Sequence, residues 1–142
     1  MGMAPRAHEV LEHPADIGFR AFGDTLPELF ANSAVALLSI AGEPAAAQPR
    51  EEYRLSVESG DRESLMVDWL SEVLYWFDGK GIAFREFRVN AFRENAIEAT
   101  GFGEPRDPER HRTQLIVKAV TYHQLKIERR SGHWIAEVYL DI

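Results

Sequence analysis

The sequence predicts an α+β fold, a single domain in which a mixed or antiparallel β-sheet packs against two main α-helices. Three observations predict it. Apolar residues recur at three- and four-residue spacing from Leu26 to Ala41 and again from Leu65 to Phe77, the period of an amphipathic helix. Others alternate at a period of two, as in Tyr53-Leu55-Val57 and Trp134-Ala136-Val138-Leu140, the signature of a strand with one wet face. Two further stretches read as hairpins, one turning at Glu94-Asn95 and one over Arg130-Ser131-Gly132.

With 142 residues and 45% hydrophobic content, the chain suits one domain spanning 1–142 that buries roughly two-thirds of its unfolded surface. No apolar run approaches the roughly 18 residues needed to span a bilayer, and the N-terminus lacks the basic-then-apolar pattern of a signal peptide. The expectation is a cytoplasmic protein with no membrane partner. The absence of cysteine excludes disulfides, thiolate metal sites and cysteine nucleophiles. Sixteen Lys and Arg against 23 Asp and Glu give a net charge of −7, which repels a polyphosphate over most of the surface. Any RNA is therefore expected to be held by a partner.

In chain order, Val10-Leu11 and Ile17, Phe19 and Ala21 read as strands on either side of Pro14, which lacks a backbone donor and biases His13 away from helix. Thr25-Leu26-Pro27-Glu28 reads as a capping box with proline in the first turn, and Gly42 as the stop of a helix with one inward face. Glu43 to Glu52 is a connection rich in Pro and Ala. A strand follows over Tyr53 to Val57, and Asp61 caps a second helix. Its stripe of Leu65, Met66, Trp69, Leu70, Val73, Leu74 and Phe77 is core, closed by Gly79. Phe84 to Phe92 and Ala96 to Phe102 pair as a hairpin that extends the sheet. Thr113 to His123 alternates like an edge strand, with Lys118 pointing to solvent. Leu125 to Glu128 and His133 to Asp141 form the last hairpin.

Among candidate functional residues, Asp16 stands at a strand end in a tight corner. Its expected companion is Asp141, because the closing strand stops at Asp141-Ile142 and keeps the terminal carboxylate close. The period of two places Glu137, Tyr139 and Asp141 on the face opposite Trp134. On residue grounds alone Asp16 also reads as a turn-stabilising side chain, and Asp141 as a frayed end. His13 and His123 read as hydrogen-bonded structure and stay outside a metal shell. Asp68 and Glu72 lie four apart on a helix, without the histidine or second carboxylate pair of a bundle metal site. Arg106, Arg110, His111 and Arg112 make a basic patch, read as a solvated loop or as a contact for a phosphate or an acidic partner. The sequence holds no phosphate-cradling glycine loop and no nucleophile elbow.

Three segments together, His13-Pro14-Ala15-Asp16-Ile17-Gly18, Val117 to His123, and Val138-Tyr139-Leu140-Asp141-Ile142, resemble archease. The resemblance extends over essentially the whole chain. It implies a small α+β domain that is not itself an enzyme but a protein cofactor of an RtcB-type RNA ligase in tRNA splicing and RNA repair. Such a cofactor promotes guanylylation of the ligase histidine and multiple turnover, with RNA and GTP met only through the ligase. The resemblance also implies a metal site of Asp16, Asp141 and the Ile142 oxygen, and a functional lysine at Lys118. An all-oxygen set without cysteine suits a hard divalent cation, calcium or magnesium. Two other functions fit less well. One is a chaperone or modulator of RNA-modifying enzymes such as a tRNA methyltransferase, and the other is a metal-dependent hydrolase, for which no general base or substrate pocket is apparent.

Overall fold

The computed structural model describes residues 7–13 and 16–142, with side chains for 7–11 and 17–142. The expected turn at Pro14-Ala15 lies outside the described residues. The elements are β1 (His8–His13), β2 (Asp16–Gly23), α1 (Leu26–Ala41), β3 (Glu51–Glu58), α2 (Arg62–Asp78), β4 (Ile82–Arg93), β5 (Ala96–Pro105), β6 (Ala119–Val120), β7 (Lys126–Arg130) and β8 (His133–Asp141). A short 3-10 turn at Pro44–Ala46 occupies the connection between α1 and β3.

Both helices start where their caps require. The Thr25 hydroxyl accepts the Glu28 N–H at 3.2 Å, and the Asp61 carboxylate accepts the Ser64 N–H at 2.8 Å, each satisfying a donor that the first helical turn leaves orphaned. The same bond to Ser64 lowers the Asp61 pKa. At the other end of α2, the Gly79 N–H closes onto the Tyr75 carbonyl at 2.7 Å.

All strand pairings are antiparallel, but they form two sheets instead of one. In the first the path runs β1-β2-β8-β6, with β7 also on β8; in the second it runs β3-β5-β4. The β4–β5 hairpin therefore does not extend the sheet of the terminal strands. It turns at Glu94-Asn95 as expected and builds a separate sheet with β3. Ser131 and Gly132 both have positive φ, 53° and 81°, which gives the β7–β8 hairpin the two-residue turn whose twist suits antiparallel strands.

The helices fill the space between the sheets, and α1 packs on β2 from one sheet and on β4 from the other. Its expected single inward face is thus an underestimate. Leu29, Phe30, Ser33, Ala34, Ala36, Leu37, Leu38, Ile40 and Ala41 are all buried, so the helix is enclosed nearly all round. The stripe of α2 is core as expected. Trp69 is wholly buried, meets Phe87 edge to face at 5.6 Å, and donates its indole N–H to the Phe30 carbonyl at 2.9 Å, which joins the helices without an orphaned donor.

The expected strand over Thr113 to His123 is mostly absent: only Ala119 and Val120 pair with β8. Two contacts explain this. β7 occupies the same side of β8 from His133 to Glu137, leaving only its last residues open, and the Gln114 N–H bonds instead to the Ala41 carbonyl at 2.9 Å. Strict alternation fails too, since Val117 and Val120, three apart, are both buried.

Candidate functional site at the end of the first sheet

The three sequence motifs converge through strand register. Ile17 pairs with Leu140, so the next step along these adjacent strands sets Asp16 across from Asp141. Directly opposed residues in an antiparallel pair have Cα atoms about 4.5–5.5 Å apart and face the same side of the sheet. On the far flank of β8, Ala119 pairs with Asp141, and the Lys118 N–H donates to the Asp141 carbonyl at 2.8 Å. On the far flank of β2, His13 pairs with Asp16. One row across four strands thus carries His13, Asp16, Asp141 and Ala119, with Lys118 one residue away.

The faces of β2 and β8 follow the period of two. Phe19, Ala21, Ala136, Val138 and Leu140 are buried against the helices. Gly18, Arg20, Glu137, Tyr139 and Asp141 take the opposite face, where Arg20 bonds Glu9 at 2.5 Å and Glu137 at 3.1 Å. Burial works against the Arg20 charge, but its hydrogen bonds to Glu9 and Glu137 outweigh that and raise the pKa. Tyr139 lies on this outer face yet is only 5% exposed, because it lies across Gly18. A Cβ at Gly18 would come within 2.5 Å of the Val138 carbonyl oxygen and 2.8 Å of Tyr139 Cδ1. The His123 ring stands edge-on to Tyr139 at 6.2 Å.

Asp141 is exposed, and Ile142 beside it is 45% exposed, so oxygen donors here are open to a ligand. Carboxylate and carbonyl oxygens at one strand end fit a hard divalent cation in donor chemistry. The Asp16 carboxylate lies outside the described side chains. Among the described residues, no group of three His, Cys, Asp or Glu side chains is placed to hold a metal. Lys118 is exposed and lines a groove of about 430 Å³ with Ser71, Leu74, Tyr75, Asp78 and Gly79 at the end of α2. Among the described residues it forms no ion pair.

The Arg106–Arg112 loop is not merely solvated, because Arg106, Arg110 and His111 are engaged by the fold, while Arg112 is exposed. Arg106 donates to the Phe77 carbonyl at 3.2 Å and lies over the Phe77 ring at 4.0 Å, neutralising the C-terminal end of α2. Arg110 donates to Glu104 at 2.8 Å, and Gln48 adds its backbone N–H at 2.8 Å. His111 accepts the Asp107 N–H on Nδ1 at 2.7 Å, which leaves its proton on Nε2 to donate to Glu104 at 2.9 Å. Glu104 is only 2% exposed. The bonds from Arg110 and Gln48 outweigh its burial and hold its pKa down to about 2.

Residues 8–142 match the profile of the Archease protein family (MTH1598/TM1083). The protein archease of Methanosarcina mazei is 40% identical over 141 residues, covering 96% of this chain and 97% of the relative. The chain belongs to the Archease family. Pyrococcus furiosus archease is 39% identical over 141 residues, with 96% of this chain and 99% of that one covered. The solution structure of protein 1598 of Methanobacterium thermoautotrophicum superposes with a TM-score of 0.79 at 35% identity, covering 96% and 99% of the two chains. A crystal structure from Thermotoga maritima, described as an archease and possible chaperone, shares the fold with a TM-score of 0.63 at 24% identity over 100% and 99%.

Sequence reasoning singled out Asp16, Asp141 and Lys118, which the strand register brings to one end of the sheet, but gave Tyr139 and Gly18 no role. A glycine inside a strand pattern is the signal that another group approaches closely, and here that group is Tyr139. Glu104 was missed because its partners come from separate segments.

Proposed function

We propose that this chain is a non-catalytic activator of an RtcB-type RNA ligase, working in the cytoplasm in tRNA splicing and RNA repair. It promotes guanylylation of the ligase histidine and repeated turnover, and it meets RNA and GTP only through the ligase. The observation that supports this most is the register joining Asp16, Asp141 and Lys118 at one end of the first sheet, in a chain of the Archease family. In this reading Asp16, Asp141 and the Ile142 oxygen would hold a hard divalent cation, calcium first and magnesium second. Lys118 would balance the carboxylates or reach an anionic group of the ligase. The acidity of the chain, net −7, suits a protein that leaves RNA to its partner.

A second reading, a chaperone of RNA-modifying enzymes such as a tRNA methyltransferase, draws support from the Thermotoga maritima neighbour described as a possible chaperone. Dose separates the two. Purified ligase, GTP and metal are assayed for guanylylation with increasing amounts of this chain. Acceleration well below one chain per ligase is expected of the activator. Protection from aggregation near stoichiometry, extending to a methyltransferase and without faster guanylylation, would establish the chaperone instead.

A further inference from the structure

The stretch from Thr113 to His123 has the composition of a strand, yet only Ala119 and Val120 are paired, and β6 ends the path of its sheet. Sheet edges are blunted by short strands and charge, and β6 is two residues long with the exposed Lys118 beside it. The stretch around it nonetheless exposes large apolar side chains: Ile116 is 72% and Tyr122 57% exposed. Beside it runs the groove that Leu74, Tyr75, Ala119 and Val120 line with apolar surface. Its Tyr75 wall lies against Gly79, where a Cβ would sit 2.7 Å from the ring. Ile142 joins the same area, since its neighbour Asp141 pairs with Ala119. Among the described residues, five large apolar side chains stand exposed, and Tyr75, Ile116, Tyr122 and Ile142 are four of them. Scattered apolar exposure needs no explanation, but a concentration around one unpaired edge marks an interaction site.

We propose that this edge docks an extended segment of a partner protein, which adds as a strand beside β6, sets an apolar side chain into the groove and offers a carboxylate to Lys118. Strand addition at an open edge draws affinity from main-chain hydrogen bonds and specificity from pockets for alternate side chains. The strand composition of 113–123, left without a partner on its outer side, is the local inconsistency that such an occupant resolves. Charge favours a protein over a nucleic acid. Lys118, which forms no ion pair among the described residues, offers one positive charge at this edge, and phosphates would meet the field of a chain of net charge −7. The proposal rests on the activator reading and names the surface through which the ligase is met.

Hydrogen exchange of the whole chain, with and without an RtcB-type ligase, tests the docking mode, alongside stimulation by the double variant Ile116→Asp/Tyr122→Asp. Both positions are exposed, so the variant should melt within about 2 °C of the parent. In the complex, amides of 116–122 should exchange roughly tenfold more slowly, and the variant should need about tenfold more protein for half-maximal stimulation. Unchanged half-maximal dose, or protection confined to other segments while the parent stimulates, would overturn the docking surface and leave the activator reading intact. No stimulation and no binding by the parent would overturn both. A dimer of the parent that the double variant disperses in sedimentation would make a second copy the occupant and overturn the partner strand.

Discussion

Replacing Gly18 with alanine sets the packing of the first sheet against the geometry of its strand end. The added Cβ would lie 2.5 Å from the Val138 carbonyl oxygen, 2.8 Å from Tyr139 Cδ1 and 3.2 Å from Tyr139 Cα. A rotamer change can move the Tyr139 ring. The carbonyl and the Cα belong to the backbone of β8, so β2 and β8 must separate. Overpacking of this kind costs about 1–3 kcal/mol, and the entropy regained on replacing glycine returns only about 0.4–1 kcal/mol. The net loss is about 1–2 kcal/mol, which for a chain of this length lowers Tm by roughly 3–8 °C. Gly18 pairs with Tyr139 two residues before Asp16 meets Asp141, so the same displacement should also weaken the calcium binding proposed for the strand end. Melting followed by circular dichroism and calorimetric titration with calcium give the two readouts. An unchanged Tm would show that the sheet absorbs the methyl group and refute the packing argument. A lowered Tm with unchanged calcium affinity would refute the coupling between packing and site.

Two further outcomes follow from particular side chains. Glu104, held at about pKa 2 in the fold against an ordinary carboxylate value near 4.5, contributes stability that is fully present above about pH 4.5 and is lost as the pH falls toward 2. Glu104→Gln should therefore melt lower than the parent at pH 7, with the two melting curves converging in acid; a constant gap across pH 2–7 would contradict this. Asp16→Asn keeps the side-chain shape and removes one charge, so calcium affinity should fall at least about tenfold while Tm holds, and unchanged affinity in calorimetry would remove Asp16 from the site.

Much of this architecture is legible in the residues, and what is not legible is long-range. Thr25, Asp61 and Gly79 mark helix ends because capping is a local property of a few residues. The enclosure of α1 was signalled more weakly, by apolar or small residues such as Ala31, Ala34, Val35 and Ala36 around its whole circumference, which a search for one stripe overlooks. The separation into two sheets has no local signal at all. A period of two says that a stretch can pair, and only the fold decides that β5 takes β3 while β2 takes β8. The same limit explains Thr113 to His123, whose strand propensity is real but whose neighbour on β8 is mostly occupied by β7. At the site, alternation gave the face of Asp141, and register between the two ends of the chain set it across from Asp16. Tyr139 was placed on that face by parity, but its cover over Gly18 depends on the pairing of β2 with β8.

The most direct test of a strand-end site that serves a partner and not the fold is Lys118→Ala, with Tm and stimulated ligase guanylylation measured on one preparation. Lys118 is exposed and, among the described residues, forms no ion pair, so its removal should change stability by no more than about 0.5 kcal/mol. Stimulation should fall by more than about tenfold, a loss of about 1.4 kcal/mol or more in transition-state stabilisation. Full stimulation by the variant, or a collapse of Tm alongside the lost activity, would contradict that assignment.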